Sequence, residues 1–206
     1  MVRITIPYLS FRPNVDFLRT KQGIIHRISW RWAFYAHVMT STFVLLLGIF
    51  QFLPGLMKRY PGWHRLAGKI YIVLVLFISG PGGLIMGFYA NGGWPARISF
   101  IILSMLWMGF TFFAFVLVRK KEFEWHADYM VRSYALTLSA IALRLYAFFL
   151  PSIILLEPNT AYRLIAWLSW IPNLIIAEIL IRKKRSKAQN RISSFSPKQE
   201  EALPGQ

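Results

Sequence analysis

The chain has no cysteine among its 206 residues. That excludes disulfides, iron–sulfur clusters and thiolate metal sites, so any bound metal must be held by His, Met or carboxylates. Acidic residues are scarce, eight against 24 Lys and Arg, and there are four histidines. No G-x-S-x-G elbow, H-E-x-x-H or P-loop occurs, so nothing points to a hydrolase or a nucleotide enzyme. These gaps leave open whether the chain is an enzyme at all. No apolar run precedes Asn14, so no cleavable signal peptide is expected and the first span must direct insertion.

What is abundant is apolar. Hydrophobic residues make up 56% of the chain and aromatics 17%, more than a soluble globule of this length usually carries. Leu, Ile, Phe and Val gather into five blocks, each near the length of about 20 residues with which a helix crosses about 30 Å of hydrocarbon. The expected fold is an all-α integral membrane protein of five transmembrane helices, a four-helix bundle core plus a fifth helix. Spans are expected over roughly 33–53, 68–90, from after Pro95 to Val118, 129–150 and 161–181. Leu53-Pro54-Gly55, Asn91-Gly92-Gly93 and Pro151 supply the breaks between them. Residues 1–32, where Phe17, Ile24, Ile25, Ile28 and Trp32 stand among Arg and Lys, form an expected interfacial segment. The span domain then covers 33–182, and 183–206 is an expected disordered basic tail.

The net charge of +16 belongs to residues that flank apolar blocks, a pattern suited to anionic lipid headgroups rather than nucleic acid. Lys58, Arg59, Arg65 and Lys69, then Arg119 to Lys121, then Arg182 to Arg185 and Lys187 all fall on one side, and positive connections stay cytoplasmic. The expected location is the inner, cytoplasmic membrane, multi-pass, with the C-terminus inside and the N-terminus outside. Arg3, Arg12, Arg19, Lys21, Arg27 and Arg31 conflict with that orientation, since the same rule prefers them inside.

Ionisable residues within spans are costly, so those present are the candidates for function. In span 4 His126, Ser133, Thr137 and Arg144 fall near one helical line, because eighteen residues make about five turns. Arg144 then lies about 27 Å from His126 along the axis, near the level of His37 in span 1. Arg144 either snorkels to headgroups or faces the bundle, where His37, Arg144, Ser133 and Thr137 form a candidate substrate or anion pocket. Span 2 aligns His64, Gly68 and Tyr71, and a helix-face Gly admits either another helix or a flat macrocycle. His64 and His126 stand at matching depth on alternate spans. They are either interfacial histidines or the axial ligands of one haem b, with Arg65 and Arg132 placed to meet its propionates.

PGWHRLAGKIY and WHADYMVRSYALTLSAIALRLY, together with NVDFLRTKQ and the run around His37, resemble the bacterial membrane family known as domain of unknown function (DUF) 2306. The resemblance covers about residues 13–150 and implies a multi-span bundle with no established activity. Larger members carry a further N-terminal span, whose lack here would account for the misplaced positive charge. A fainter similarity to membrane cytochromes of the b561 kind implies histidines on alternate helices of a four-helix core. It is incomplete, because span 3 has no His to complete a second pair with His37. Three functions are therefore expected to compete. One is haem-based electron transfer with quinol or a protein redox partner; another is non-redox transport or anion and ligand binding; the third is an accessory assembly subunit.

Overall fold

The structure is a computed structural model that describes residues 5–53, 55, 59–153 and 155–195. Arg3, Pro54, Lys58 and the end of the expected tail, 196–206, lie outside the described residues. Every described element is helical. Two short 3₁₀ helices, Ile6–Ser10 and Asp16–Lys21, precede α1 (Ile28–Gln51). Span 2 consists of α2 (Pro61–Leu74), a π-helical turn over Val75–Ser79, and α3 (Gly80–Phe88). Span 3 is α4 (Trp94–Arg119); span 4 is α5 (Phe123–Thr137) and α6 (Ser139–Ile153); span 5 is α7 (Pro158–Leu168) and α8 (Ile171–Phe195). Among the described residues five helices are long and apolar enough to cross a bilayer, and large apolar side chains such as Phe43, Phe77, Phe112, Phe148 and Ile176 cover the outside, as suits a lipid environment.

Helix starts follow local chemistry. Pro61 and Pro158 occupy first-turn positions, where a missing N–H costs nothing. Glu157 accepts from the backbone N–H groups of Asn159 and Thr160, and these bonds hold its carboxyl below the usual carboxylate range. Gly92 turns between spans 2 and 3 with φ of 80°, and Arg163 donates to its carbonyl at 2.7 Å, tying that turn to span 5.

Spans 1 to 4 pack as an up-and-down bundle, and span 5 lies against spans 3 and 4. Span 1 meets span 4 where Gly48 leaves room for the Tyr134 ring; a Cβ on Gly48 would collide with it. Tyr134 completes the contact by donating to the Leu45 carbonyl. Span 3 holds span 5 through Ser99, which donates to the Ala166 carbonyl and accepts from the Trp170 indole, both at 2.9 Å.

Several boundaries differ from expectation. Spans 1, 2 and 4 begin earlier, because the polar residues at their starts continue the helix. Span 4 has a one-residue interruption at Leu138, which lies between Thr137 and Arg144 of the polar line expected from His126 to Arg144. The stretch from 183, expected to be disordered, continues α8 as helix to Phe195. Its anchor is Asp128, buried on α5, which pairs with Arg185 at 2.6 Å and Lys184 at 3.6 Å. The Arg185 guanidinium also stacks 3.8 Å from the Trp125 ring centroid.

The N-terminal segment folds onto the bundle end shared by the 2–3 and 4–5 connections, here called the cap end. Leu18 and Ile25 are buried there against Trp30, Phe34 and Tyr35, whereas Ile28 and Trp32 remain exposed. The opposite end, carrying the 3–4 connection and the extension of α8, is the tail end.

Candidate functional site

A cavity of about 360 Å³ opens in the cap-end half of the bundle. Its origin is a pair of helix irregularities. In span 2 the π turn and Gly80-Pro81-Gly82-Gly83 shift the register; in span 4 the helix is interrupted at Leu138, and α6 packs on α7. Tyr8 and Phe17 of the N-terminal segment close over the resulting space.

His37 on α1 lines the cavity. Its Nδ1 is 2.6 Å from the Ser79 carbonyl, an oxygen that can only accept, so Nδ1 carries the proton. In the neutral imidazole Nε2 is then the acceptor, and among the described residues it has no hydrogen-bond partner. Two glycines make this placement possible. A Cβ on Gly83 would stand 2.9 Å from His37 Cε1, and one on Gly82 would stand 2.8 Å from the Ala33 carbonyl and 3.0 Å from His37 Cβ. Ser79 lies beside this pair, its hydroxyl 2.5 Å from Thr40, whose own proton goes to the Ala36 carbonyl.

The cavity floor is a closed hydroxyl cluster. Tyr71 reaches Ser133 at 2.9 Å and Thr137 at 2.8 Å. Thr111 meets Ser133 at 2.7 Å, and the Trp107 indole donates to Thr137 at 3.0 Å. Thr111 and Thr137 donate in turn to the carbonyls of Trp107 and Ser133. Every member is buried and partnered, so the cluster ties spans 2, 3 and 4 together rather than offering reactive groups.

Arg144 on α6 is the cavity's fixed charge. One of its five N–H groups donates to the Ala140 carbonyl, and among the described residues no carboxylate pairs with it. Tyr8 lies within electrostatic reach and lines the same space. Burial pushes the Tyr8 phenol above its ordinary range, although the Phe17 N–H and Arg144 oppose the shift. The phenol therefore stays protonated at neutral pH and can donate. Ser41 also lines the cavity, and its buried hydroxyl has no partner among the described residues. The walls are otherwise mainly apolar, with Phe34, Met86, Leu103, Trp107 and Leu143 prominent.

Of the four residues read from sequence as a pocket, His37, Thr137 and Arg144 border this cavity. Ser133 is fully buried one turn below, inside the hydroxyl cluster. The residues read as a haem site are arranged differently. His64 and His126 do lie close enough to interact electrostatically at the tail end. His126 Nδ1 donates to the Ala114 carbonyl at 2.8 Å, and His64 Nδ1 is buried without a partner. The space beside Gly68, however, is filled by Gln51, whose Oε1 stands 3.3 Å from where a Cβ would be. Tyr71 belongs to the hydroxyl cluster, Arg65 is exposed, and Arg132 forms a two-point ion pair with Glu178 at 2.5 and 3.0 Å.

Sequence reasoning missed Tyr8, Trp107, Gly83, Asp128 and Glu178. The glycines gave a signal in the run Gly80-Pro81-Gly82-Gly83, which is too rich in helix breakers for an undisturbed span. Tyr8 gave none, because only tertiary folding brings it over the cavity. No curated protein and no solved structure matches the chain. The pattern of the family described as Predicted membrane protein (DUF2306) matches residues 34–181; the chain belongs to that family.

Proposed function

We propose that the protein is a membrane ligand-binding protein whose cap-end cavity takes a small amphipathic anion. The observation that carries this reading is Arg144, a cation without a carboxylate partner among the described residues, bordering a largely apolar cavity of about 360 Å³. Cavities of roughly 300–1,000 Å³ with apolar walls and few convergent polar groups are the usual form of small-molecule sites. Keeping an uncompensated cation at such a place is costly unless an anion meets it. Arg144 supplies charge and paired donors, Tyr8 and Ser41 supply hydroxyls, and the walls accept an acyl or aryl body. The bias of basic residues toward the tail end supports placing this cavity on the side of the membrane away from the cytoplasm.

Haem held by His64 and His126, with electron transfer to quinol or a partner, has less support. Gln51 occupies the gap beside Gly68, and Arg132 is committed to Glu178.

Binding of decanoate, decanol and decyltrimethylammonium to the protein in lipid nanodiscs tests the proposal. Decanoate is expected to bind most tightly, and Arg144→Gln to weaken it by about tenfold or more, the value of a charged hydrogen bond, ~1.5–3 kcal/mol. Equal binding of all three, or decanoate binding unchanged in Arg144→Gln, overturns it. An absorption spectrum of the same samples with a Soret band lost in His64→Ala returns weight to haem.

A further inference from the structure

We infer that His37 and Arg144 select a ligand whose polar head joins a hydroxyl donor to an oxyanion, such as a hydroxyacyl or hydroxyaryl acid with an apolar body. The inference rests on the ligand-binding reading above and names its substrate class. Arg144 has only donors, so it is satisfied by an oxygen acceptor such as a carboxylate. His37 supplies the opposite need. Nδ1 donates to the Ser79 carbonyl at 2.6 Å and the ring lines the cavity, so in the neutral imidazole Nε2 is the nitrogen left to accept.

That acceptor is held in place from several sides. Gly82 and Gly83 allow the imidazole to lie against span 2, and a Cβ on Gly83 would collide with it. The Trp107 ring meets it edge-on with centroids 6.5 Å apart. The π turn that presents Ser79 is itself fixed by the Ser79–Thr40 contact at 2.5 Å. A fixed acceptor on an apolar wall is satisfied by an O–H and left unpaired by a plain acyl chain or an ether. Sites built to bond a hydroxyl discriminate strongly against analogues that lack it, because the site's own polar group is then stranded.

The closing experiment compares decanoate, 3-hydroxydecanoate and 3-methoxydecanoate by equilibrium binding to the full chain in nanodiscs. 3-Hydroxydecanoate is expected to bind about tenfold more tightly than its methyl ether, and His37→Leu to erase that ratio. Loss of the Ser79 partner could unfold that variant, so the wild-type ratio is the deciding quantity and needs no substitution. A ratio near one overturns the role of His37. If decanoate still binds and is lost in Arg144→Gln, the ligand-binding reading stands without it. Failure of all three acids to bind overturns both.

Discussion

Lys21 shows at the scale of one residue how the cap is held. It lies outside the spans, is only 5% exposed, and its ammonium donates to the Tyr89 carbonyl and to Asn91 at 2.6 Å. Both acceptors are neutral. Burial, with the charge of Arg97 added, lowers its pKa from 10.5 to about 8. A lysine whose folded pKa lies below its unfolded one sheds a proton on folding within that window. The unfolded segment then binds more protons, so cap stability rises with pH between about 8 and 10.5. Amide exchange over residues 16–25, corrected for intrinsic base catalysis, is expected to show protection increasing across that range. Lys21→Met, which retains the stem and removes the titration, is expected to flatten the dependence; the same slope in that variant would place it on another group.

Among elements, α8 departs furthest from its sequence signature. Lys183 to Lys187 read as part of a disordered basic tail, yet the helix continues through them, and Asp128, the one buried carboxylate among the described residues, receives Arg185 and Lys184. Arg132 and Glu178 make a second link between the same two helices. Asp128→Asn removes the charge both cations face. Because those cations are partly exposed, the expected cost is local and about 1–2 kcal/mol. Hydrogen exchange should accelerate about tenfold or more over 182–190 while the bundle interior keeps its protection. Acceleration across all spans would instead make Asp128 a determinant of the whole fold.

Helix number, order and approximate limits were legible because runs of apolar residues and Pro-Gly breaks act locally. On span 1, His37, Ser41, Gly48 and Gln51 share a helical line, and all meet other helices or the cavity. The register of the pocket was not legible. Ser133 and Thr137 lie one helical turn apart, and that turn is enough to leave Thr137 at the cavity and Ser133 buried beneath it. Partner choice for Arg132 also depended on Glu178, 46 residues away, a distance that no helical periodicity spans.

For the whole molecule, the bundle is tight through its middle and open toward the cap. The hydroxyl cluster joins spans 2, 3 and 4 at the floor, α6 diverges onto α7 above it, and the N-terminal segment roofs the opening. The cap-end half of the bundle thus holds a mainly apolar cavity bordered by the Arg144 guanidinium. Outside, a mainly apolar groove runs along Trp170, Leu174 and Ile175, so binding alone does not locate the ligand. Photolabelling with a diazirine-bearing decanoate in nanodiscs, followed by peptide mapping, separates the two. The account predicts labels on cavity residues such as Phe34, Met86 and Leu143, suppressed by excess decanoate and by Arg144→Gln. Labels confined to outward-facing residues such as Ile175 and Ile179, unaffected by Arg144→Gln, would contradict it.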